Sequence, residues 1–184
     1  MLNEEIKTAT KSAHQQLEVV VIRELKSIRS DEDYAQFLKK FHIYFQAIEQ
    51  LIAPFLTPEV LPDYAHRRNS KDLAVDIHSL GSELGKSEQP LTPKIENTLD
   101  ALSALYVLEG SIMGGPIIVQ MLQKNGISKG FSFFSGYGAE TGTRWNAFIE
   151  VLNRYGADPA TNSQAIAIAN ETFEKFGLVF KQEN

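Results

Sequence analysis

The sequence contains no cysteine among its 184 residues, so disulfide bonds, thiolate metal sites and cysteine nucleophiles are excluded. Basic residues are also scarce, because 18 Lys and Arg stand against 23 Asp and Glu and leave a net charge of -5. The only dense basic sites are the pairs Lys39–Lys40 and Arg67–Arg68. A protein with this charge balance is not expected to bind nucleic acid.

Long apolar runs are equally scarce. Residues 1–11 mix charges with single apolar side chains and show no signal-peptide pattern. No stretch reaches the roughly 20 uninterrupted apolar residues of a membrane span, because glycines and Glu109 break the best candidate. We therefore expect a cytoplasmic protein with no membrane span. A content of 43% hydrophobic and 22% charged residues fits one globular domain over residues 1–184.

What the sequence does contain is helical periodicity. Apolar residues recur at intervals of three and four from Leu2 to Leu25, and a stronger repeat to Ile52 follows a capping pattern at Ser30 and Asp33. Further helices are predicted over residues 73–80, 92–126, 143–154 and 161–181. The helix over residues 92–126 is predicted to begin at Thr92–Pro93. No segment alternates as a strand would. The predicted fold class is all-α, a single-domain multi-helix bundle.

Glycines interrupt the most apolar of these helices. Gly110, Gly114 and Gly115 lie within residues 104–122, where each interior glycine costs about 1 kcal/mol relative to alanine. Positions four apart share a helix face, so Gly110 and Gly114 predict one strip of accessible backbone. Pro116 lacks an amide hydrogen and should break the hydrogen-bond ladder nearby. Two interpretations stay open, a ligand surface and a kinked helix packed tightly on a neighbour.

A second candidate site lies on the first helix. Lys7, Lys11 and His14 are spaced by four and three residues, so one helix face can carry all three. A neutral imidazole is an axial ligand for haem iron, and lysines within two turns could hold the haem propionates. The alternative is a surface histidine among solvated lysines.

Together these two segments resemble the biliverdin-producing haem oxygenases, especially bacterial members associated with phytochromes. Residues 8–18 (TATKSAHQQLE) are similar to the proximal motif of that family, and residues 41–49 (FHIYFQAIE) to its second helix. Residues 105–115 (LYVLEGSIMGG) are similar to its glycine-rich distal helix. The similarities keep the same order along the chain. They imply a haem-oxygenase-like fold with haem as substrate and cofactor.

The resemblance also implies roles for individual residues. His14 matches the proximal iron ligand and therefore the metal-binding residue, Lys7 matches a lysine that pairs with a propionate, and the glycine strip would lie against the distal haem face. Spacing adds Lys11 as a neighbouring candidate. The remaining candidates for haem contact are Gly115 beside the strip, Arg144 for a propionate, and Phe173 and Phe180 for packing on the macrocycle.

Ser111 departs from part of the family pattern. Animal members carry an aspartate directly after the first distal glycine, where this chain has an uncharged serine. We take the Ser111 hydroxyl as a candidate for anchoring distal water. The alternative is a hydroxyl that bonds back to the carbonyl one turn earlier. Pro116 also stands where a longer polar or basic side chain is expected.

The function implied by the resemblance is oxidative cleavage of haem to biliverdin, ferrous iron and carbon monoxide. O2 and electrons would come from outside, the electrons from a donor such as a ferredoxin or a flavin reductase, and a phytochrome could receive the bilin. The main alternative is a protein of the same fold that binds haem or a bilin without cleaving it. A ligand-free structural protein comes third. A ferritin-like di-iron protein is not supported, because no helical Glu-x-x-His pairs are present.

Overall fold

The computed structural model describes residues 1–86 and 89–181, so residues 87–88 and 182–184 of the predicted domain 1–184 lie outside the described residues. Within the described residues the chain forms eight α-helices and no β-strand, and the predicted all-α class is confirmed. The helices are α1 (Leu2–Ala9), α2 (Lys11–Ser27), α3 (Asp31–Ile52), α4 (Ser70–Ser79), α5 (Thr98–Gly110), α6 (Gly115–Lys124), α7 (Thr141–Tyr155) and α8 (Pro159–Val179).

Side-chain caps determine where several helices begin. At α3 the Ser30 hydroxyl accepts a hydrogen bond from the Asp33 amide at 3.1 Å, so the predicted cap is confirmed. At α5 the Asn97 side chain accepts from the Asp100 amide at 2.9 Å. The predicted start at Thr92–Pro93 is wrong, because Asn97 supplies the cap and the helix begins five residues beyond that proline.

Thr10 divides the predicted first helix into α1 and α2. Its hydroxyl donates to the Ile6 carbonyl at 2.8 Å, and a threonine that bonds back to its own helix often bends it. Backbone hydrogen bonds still bridge the division, from the Thr10 amide to Ile6 and from the His14 amide to Thr10. Lys7 therefore belongs to α1 and His14 to α2, and the prediction of one continuous helix face is corrected.

An aromatic cluster forms the centre of the core around α3. Phe37, Phe41 and Phe45 recur every four residues and lie on one helix face. Phe41 packs edge-on against Phe176 of α8 with ring centroids 5.0 Å apart, and Tyr44 stacks on the same ring at 4.7 Å. α8 also contacts α1, α2 and α5, so it lies between the N-terminal helices and the glycine-bearing helix.

The glycine-bearing helix breaks where the glycines and Pro116 predicted. α5 ends at Gly110, Ser111–Gly114 form one 3₁₀ turn, and α6 begins at Gly115 with Pro116 in its first turn. Proline fits the first turn of a helix because its missing amide hydrogen would have no partner there. We refer to Gly110–Gly115 as the distal kink.

One continuous stretch, Thr98–Lys124, is long and apolar enough to cross a membrane by length and composition. Half of its most apolar window is buried inside the protein, where α5 packs against α3, α7 and α8. Core helices of globular proteins meet the same criterion. Packing therefore accounts for the apolar composition of this stretch, and the absence of a membrane span stays a prediction.

Replacing Gly115 by alanine should destabilise the protein by about 1–3 kcal/mol, the usual cost of overpacking. Gly115 is buried, and a Cβ at this position would overlap the Phe134 carbonyl oxygen, which belongs to the backbone and cannot rotate away. Urea unfolding followed by circular dichroism measures the change. The matched control is Gly177→Ala in α8, where a Cβ meets nothing within 4 Å and stability should be unchanged or slightly higher. Equal effects of the two substitutions would contradict this packing argument.

Candidate functional site

His14 projects from α2 with 51% of its side chain exposed. Its Nε2 lies 3.6 Å from Glu18 Oε1, and its ring meets Phe173 of α8 edge-on with centroids 5.2 Å apart. The imidazole therefore stands where α2 meets α8, with part of its surface free. One ring nitrogen can be oriented by the carboxylate while the other is available to a metal ion.

Two contacts relate His14 to the distal kink. α8 packs against both α2 and α5. Beyond α6, the Asn125 side chain donates to the Leu25 carbonyl near the end of α2 at 3.1 Å. His14 precedes Leu25 by eleven residues and Gly114 precedes Asn125 by eleven, so each lies about 16 Å along its helix from this junction. Because α2 and α6 also contact each other, the helix that carries His14 and the helix that follows the distal kink are direct neighbours.

The distal kink is open at Gly114 and covered at Gly110. A Cβ on Gly114 would meet nothing within 4 Å, and the nearby apolar side chains of Met113 and Ile117 are 48% and 63% exposed. A Cβ on Gly110 would meet the Trp145 ring at 3.6 Å. The predicted strip is therefore shorter than expected, because Trp145 occupies the space beside its first glycine.

Ser111 and Gly115 have partners within the protein. The Ser111 hydroxyl donates to the Leu108 carbonyl at 2.7 Å and accepts from the Arg68 guanidinium. Its one proton is thereby used in the back-bonding arrangement, and the anchoring of distal water by Ser111 stays a prediction. Gly115 faces Phe134, and packing of the helix on this loop explains the glycine without the predicted ligand contact.

The predicted propionate partners Lys7, Lys11 and Arg144 differ in their contacts within the protein. Lys7 and Lys11 are exposed and lie in the two turns before His14. Arg144 is held by other protein groups: it donates to Glu140 and to the His66 carbonyl, each at 3.1 Å. A ligand contact by Arg144 would have to replace these bonds, so the lysines are the better placed cations.

The predicted aromatic contacts also differ. Phe173 is buried and touches the imidazole of His14, so it borders the same space. Phe180 is buried too, but its ring packs against Phe37, Phe41 and Phe176 at centroid distances of 6.0, 5.7 and 5.5 Å. The structure therefore gives Phe180 a place in the aromatic core.

A buried ionic cluster behind the distal kink was not predicted from the sequence. Arg67 and Glu109 are 1% and 3% exposed and form an ion pair with Nη1 and Oε2 2.6 Å apart. The Tyr137 hydroxyl donates to the same carboxylate at 3.1 Å, and burial together with the Glu109 charge raises the pKa of Tyr137 to about 12. Glu109 was the available signal, because a charge within an apolar helix needs a buried partner.

A sequence model of the family described as "Heme oxygenase" matches residues 1–182. The chain belongs to the haem oxygenase family. The haem oxygenase of Xanthomonas campestris pv. campestris (strain 8004) is 28% identical over 147 residues, covering 79% of this chain and 87% of the relative. Haem oxygenase PigA of Pseudomonas aeruginosa is 22% identical over 170 residues, covering 91% of this chain and 85% of PigA.

A solved haem oxygenase has the same fold. The crystal structure of the NO- and CO-bound enzyme from Neisseria meningitidis matches with a TM-score of 0.85, 23% identity, and coverage of 98% of this chain and 90% of that one. At this identity the likeness establishes the fold alone. Membership of the family makes the protein a haem-degrading oxidoreductase for which haem is both substrate and prosthetic group.

Replacing Glu109 by glutamine should lower the free energy of unfolding by about 3 kcal/mol, because Arg67 would lose its buried counter-charge. Guanidinium chloride unfolding measures the loss. The control is Glu140→Gln. Glu140 pairs with Arg144 and its side chain is 66% exposed, so this substitution should lower the free energy of unfolding by less than about 1 kcal/mol. A similar cost at both positions would mean that burial does not strengthen the Arg67–Glu109 pair.

Proposed function

We propose that this haem oxygenase binds the haem iron through His14 and places the distal haem face against the open backbone at Gly114. The observation that carries the proposal is the contact between α2, which carries His14, and α6, which follows the distal kink, with a hydrogen bond between Asn125 and Leu25 near their ends. The reaction is cleavage of haem to biliverdin, ferrous iron and carbon monoxide. Bound haem supplies the iron that activates O2, and the protein supplies ligation, orientation and control of polarity.

His14 is suited to hold the iron because its surroundings restrain the ring without covering it. Phe173 packs against one edge of the imidazole, and Glu18 lies 3.6 Å from one of its nitrogens. At this distance the carboxylate is not hydrogen-bonded to the ring, and it acts on the imidazole through its charge. The role of Glu18 is therefore to orient the proximal ligand.

Lys7 and Lys11 orient the haem in its plane. Both ammonium groups are exposed in the turns before His14, where the rim of a bound macrocycle would lie. Exposed ion pairs contribute at most about 1 kcal/mol each, so the two lysines select an orientation more than they supply affinity. The orientation decides which meso carbon faces the distal kink.

Gly114 provides close approach on the distal side. The space where a side chain would stand is empty, and Met113 and Ile117 present apolar surface beside it. A flat apolar ligand would remove this surface from water, which supplies the main driving force for binding. The bare backbone then lies next to the reacting edge of the ligand.

Electron donor, acceptor of the bilin and location follow from the resemblance to phytochrome-associated bacterial members. We infer a donor such as a ferredoxin or a flavin reductase, a phytochrome as a recipient of the product, and a cytoplasmic location. The family membership supports haem itself as the ligand.

A haem or bilin carrier is the second candidate. It is favoured by the Ser111 hydroxyl, whose proton is already donated to the Leu108 carbonyl. A carrier needs no donor at the distal face, whereas cleavage needs water there to deliver protons. Incubation of the haem complex with ascorbate or a ferredoxin system separates the two. The oxygenase loses its Soret band and gains biliverdin absorption, and a carrier keeps its haem spectrum.

Replacing His14 by alanine should abolish the Soret band of the complex or its conversion to biliverdin absorption under a reductant, because no other side chain replaces the proximal ligand. Haem titration followed by absorption spectroscopy tests this. His78→Ala is the control, since His78 is 77% exposed on α4 and should bind and convert haem as the unaltered protein does. Unchanged turnover in the His14 variant would refute the proposed ligand.

Replacing Gly114 by leucine should weaken haem binding at least tenfold while leaving the fold intact. The leucine side chain would fill the empty space beside the kink, and loss of a few contacts worth about 1.4 kcal/mol corresponds to one factor of ten. Gly142→Leu is the control, because Gly142 also has nothing within 4 Å but lies in the first turn of α7. Equal haem affinity in both variants would place the ligand elsewhere.

A further inference from the structure

Arg68 joins the distal kink to two other parts of the fold. Its Nη2 donates to the Leu108 carbonyl at 2.8 Å and to the Ser111 hydroxyl. Its Nη1 lies 3.5 Å from the Phe133 carbonyl, and the guanidinium stands 4.2 Å above the Phe133 ring. The loop before α4, the distal kink and the loop after α6 therefore meet at one cation.

The position of Arg68 matches an electrostatic need of the kink. α5 ends at Gly110, and the last carbonyls of a helix carry partial negative charge and lack partners within the ladder. The Leu108 carbonyl is one of these and accepts from both Arg68 and Ser111. Burial lowers the pKa of the Arg68 guanidinium, whereas the nearby Glu109 charge opposes that effect.

The acidic group nearest Arg68 is already bound by other side chains and does not compete for its guanidinium. The Glu109 carboxylate is already bound by Arg67 and by the Tyr137 hydroxyl. The Arg68 amide donates to the Tyr137 hydroxyl oxygen at 3.0 Å, which holds the backbone in place. The Nη1 and Nη2 donors therefore go to the Phe133 and Leu108 carbonyls and to the Ser111 hydroxyl rather than to a carboxylate.

We propose that Arg68 is a positioning residue for haem cleavage, one that fixes the angle of the distal kink and the direction of the Ser111 hydroxyl. The proposal rests on the proposed function, because the kink matters for catalysis only if haem lies against Gly114. Behind the distal kink of this chain, the Arg68 cation is bound to the Ser111 hydroxyl. Arg68 thereby determines which backbone atoms of the kink face the meso carbon that the lysines present, and hence how selectively that carbon is attacked.

Arginine is suited to this place in a way that lysine is not. The planar guanidinium offers several donors in a fixed fork and can bind two acceptors while lying flat on an aromatic ring. A lysine keeps the charge but cannot bind Leu108, Ser111 and the Phe133 ring in the same geometry. Arg68→Lys should therefore restore part of what Arg68→Met loses.

The first experiment uses the ligand-free protein. Trp145 is the sole tryptophan and its ring lies beside Gly110, so its fluorescence reports on the distal kink. Arg68→Met should shift the emission maximum and increase quenching by acrylamide, with Arg68→Lys intermediate. Arg154→Met is the control, because Arg154 is exposed and its guanidinium lies over the adjacent Tyr155 ring. Emission of the Arg68→Met variant identical to that of the control would overturn the proposal.

The second experiment measures the biliverdin isomers formed by each variant, separated by chromatography. Arg68→Met should reduce the ratio of major to minor isomer about tenfold, because the kink is no longer held at one angle; this corresponds to about 1.4 kcal/mol between the two barriers. Arg68→Lys should recover part of this selectivity. An isomer ratio equal to that of Arg154→Met would overturn the proposal.

A third variant keeps the test valid if Arg68→Met does not fold. Ser111→Ala removes one acceptor of the guanidinium and leaves the cation in place. Combined with Arg68→Lys, its effects on fluorescence and isomer ratio should be non-additive, because the two residues act through one contact. Additive effects would overturn the proposal. Turnover retained by His14→Ala would instead refute the proposed function, whatever the fluorescence of the Arg68 variants shows.

Discussion

Close contact between the Gly115 backbone and the Phe134 carbonyl packs the bend of the apolar helix against the loop after α6, and only glycine fits there, because a Cβ would overlap the carbonyl oxygen. The bend ends α5, starts α6 after a single 3₁₀ turn, and leaves Gly114 without a covering side chain. At the other end of α6, the Asn125 side chain joins this stretch to α2 through the Leu25 carbonyl.

Charged groups have two distinct uses in this fold. Behind the kink, Arg67, Arg68 and Glu109 are withdrawn from water, where unpaired charges are costly and good geometry is required. These groups hold loops that are far apart in sequence against one helix. At the other side, Lys7 and Lys11 remain in water, where charge acts weakly and over a short range. The buried charges hold the distal kink in place, and the exposed lysines stay available to a ligand.

Local chemistry made much of the fold predictable. The cap at Ser30, the repeat of phenylalanines along α3 and the break at Gly110–Pro116 were read from neighbouring residues, and each corresponds to an interaction within a few positions of the chain. The errors also arise from local signals. Thr92–Pro93 looks like a helix start, yet Asn97 caps α5, and Thr10 divides the first helix through a hydrogen bond from its hydroxyl to the Ile6 carbonyl.

The candidate site was likewise predictable from the sequence only in part. The chain order of the histidine, the glutamate and the glycines is a property of the sequence alone and was enough to predict an all-α fold, the family and a proximal ligand. Which glycine is open, which is covered by Trp145 and which supports the Phe134 loop was decided by tertiary structure. The reason is physical: a missing side chain indicates that space is needed, but only the packed neighbours determine what occupies that space. The pairing of Glu109 with Arg67, 42 positions away, is likewise invisible until the helices assemble.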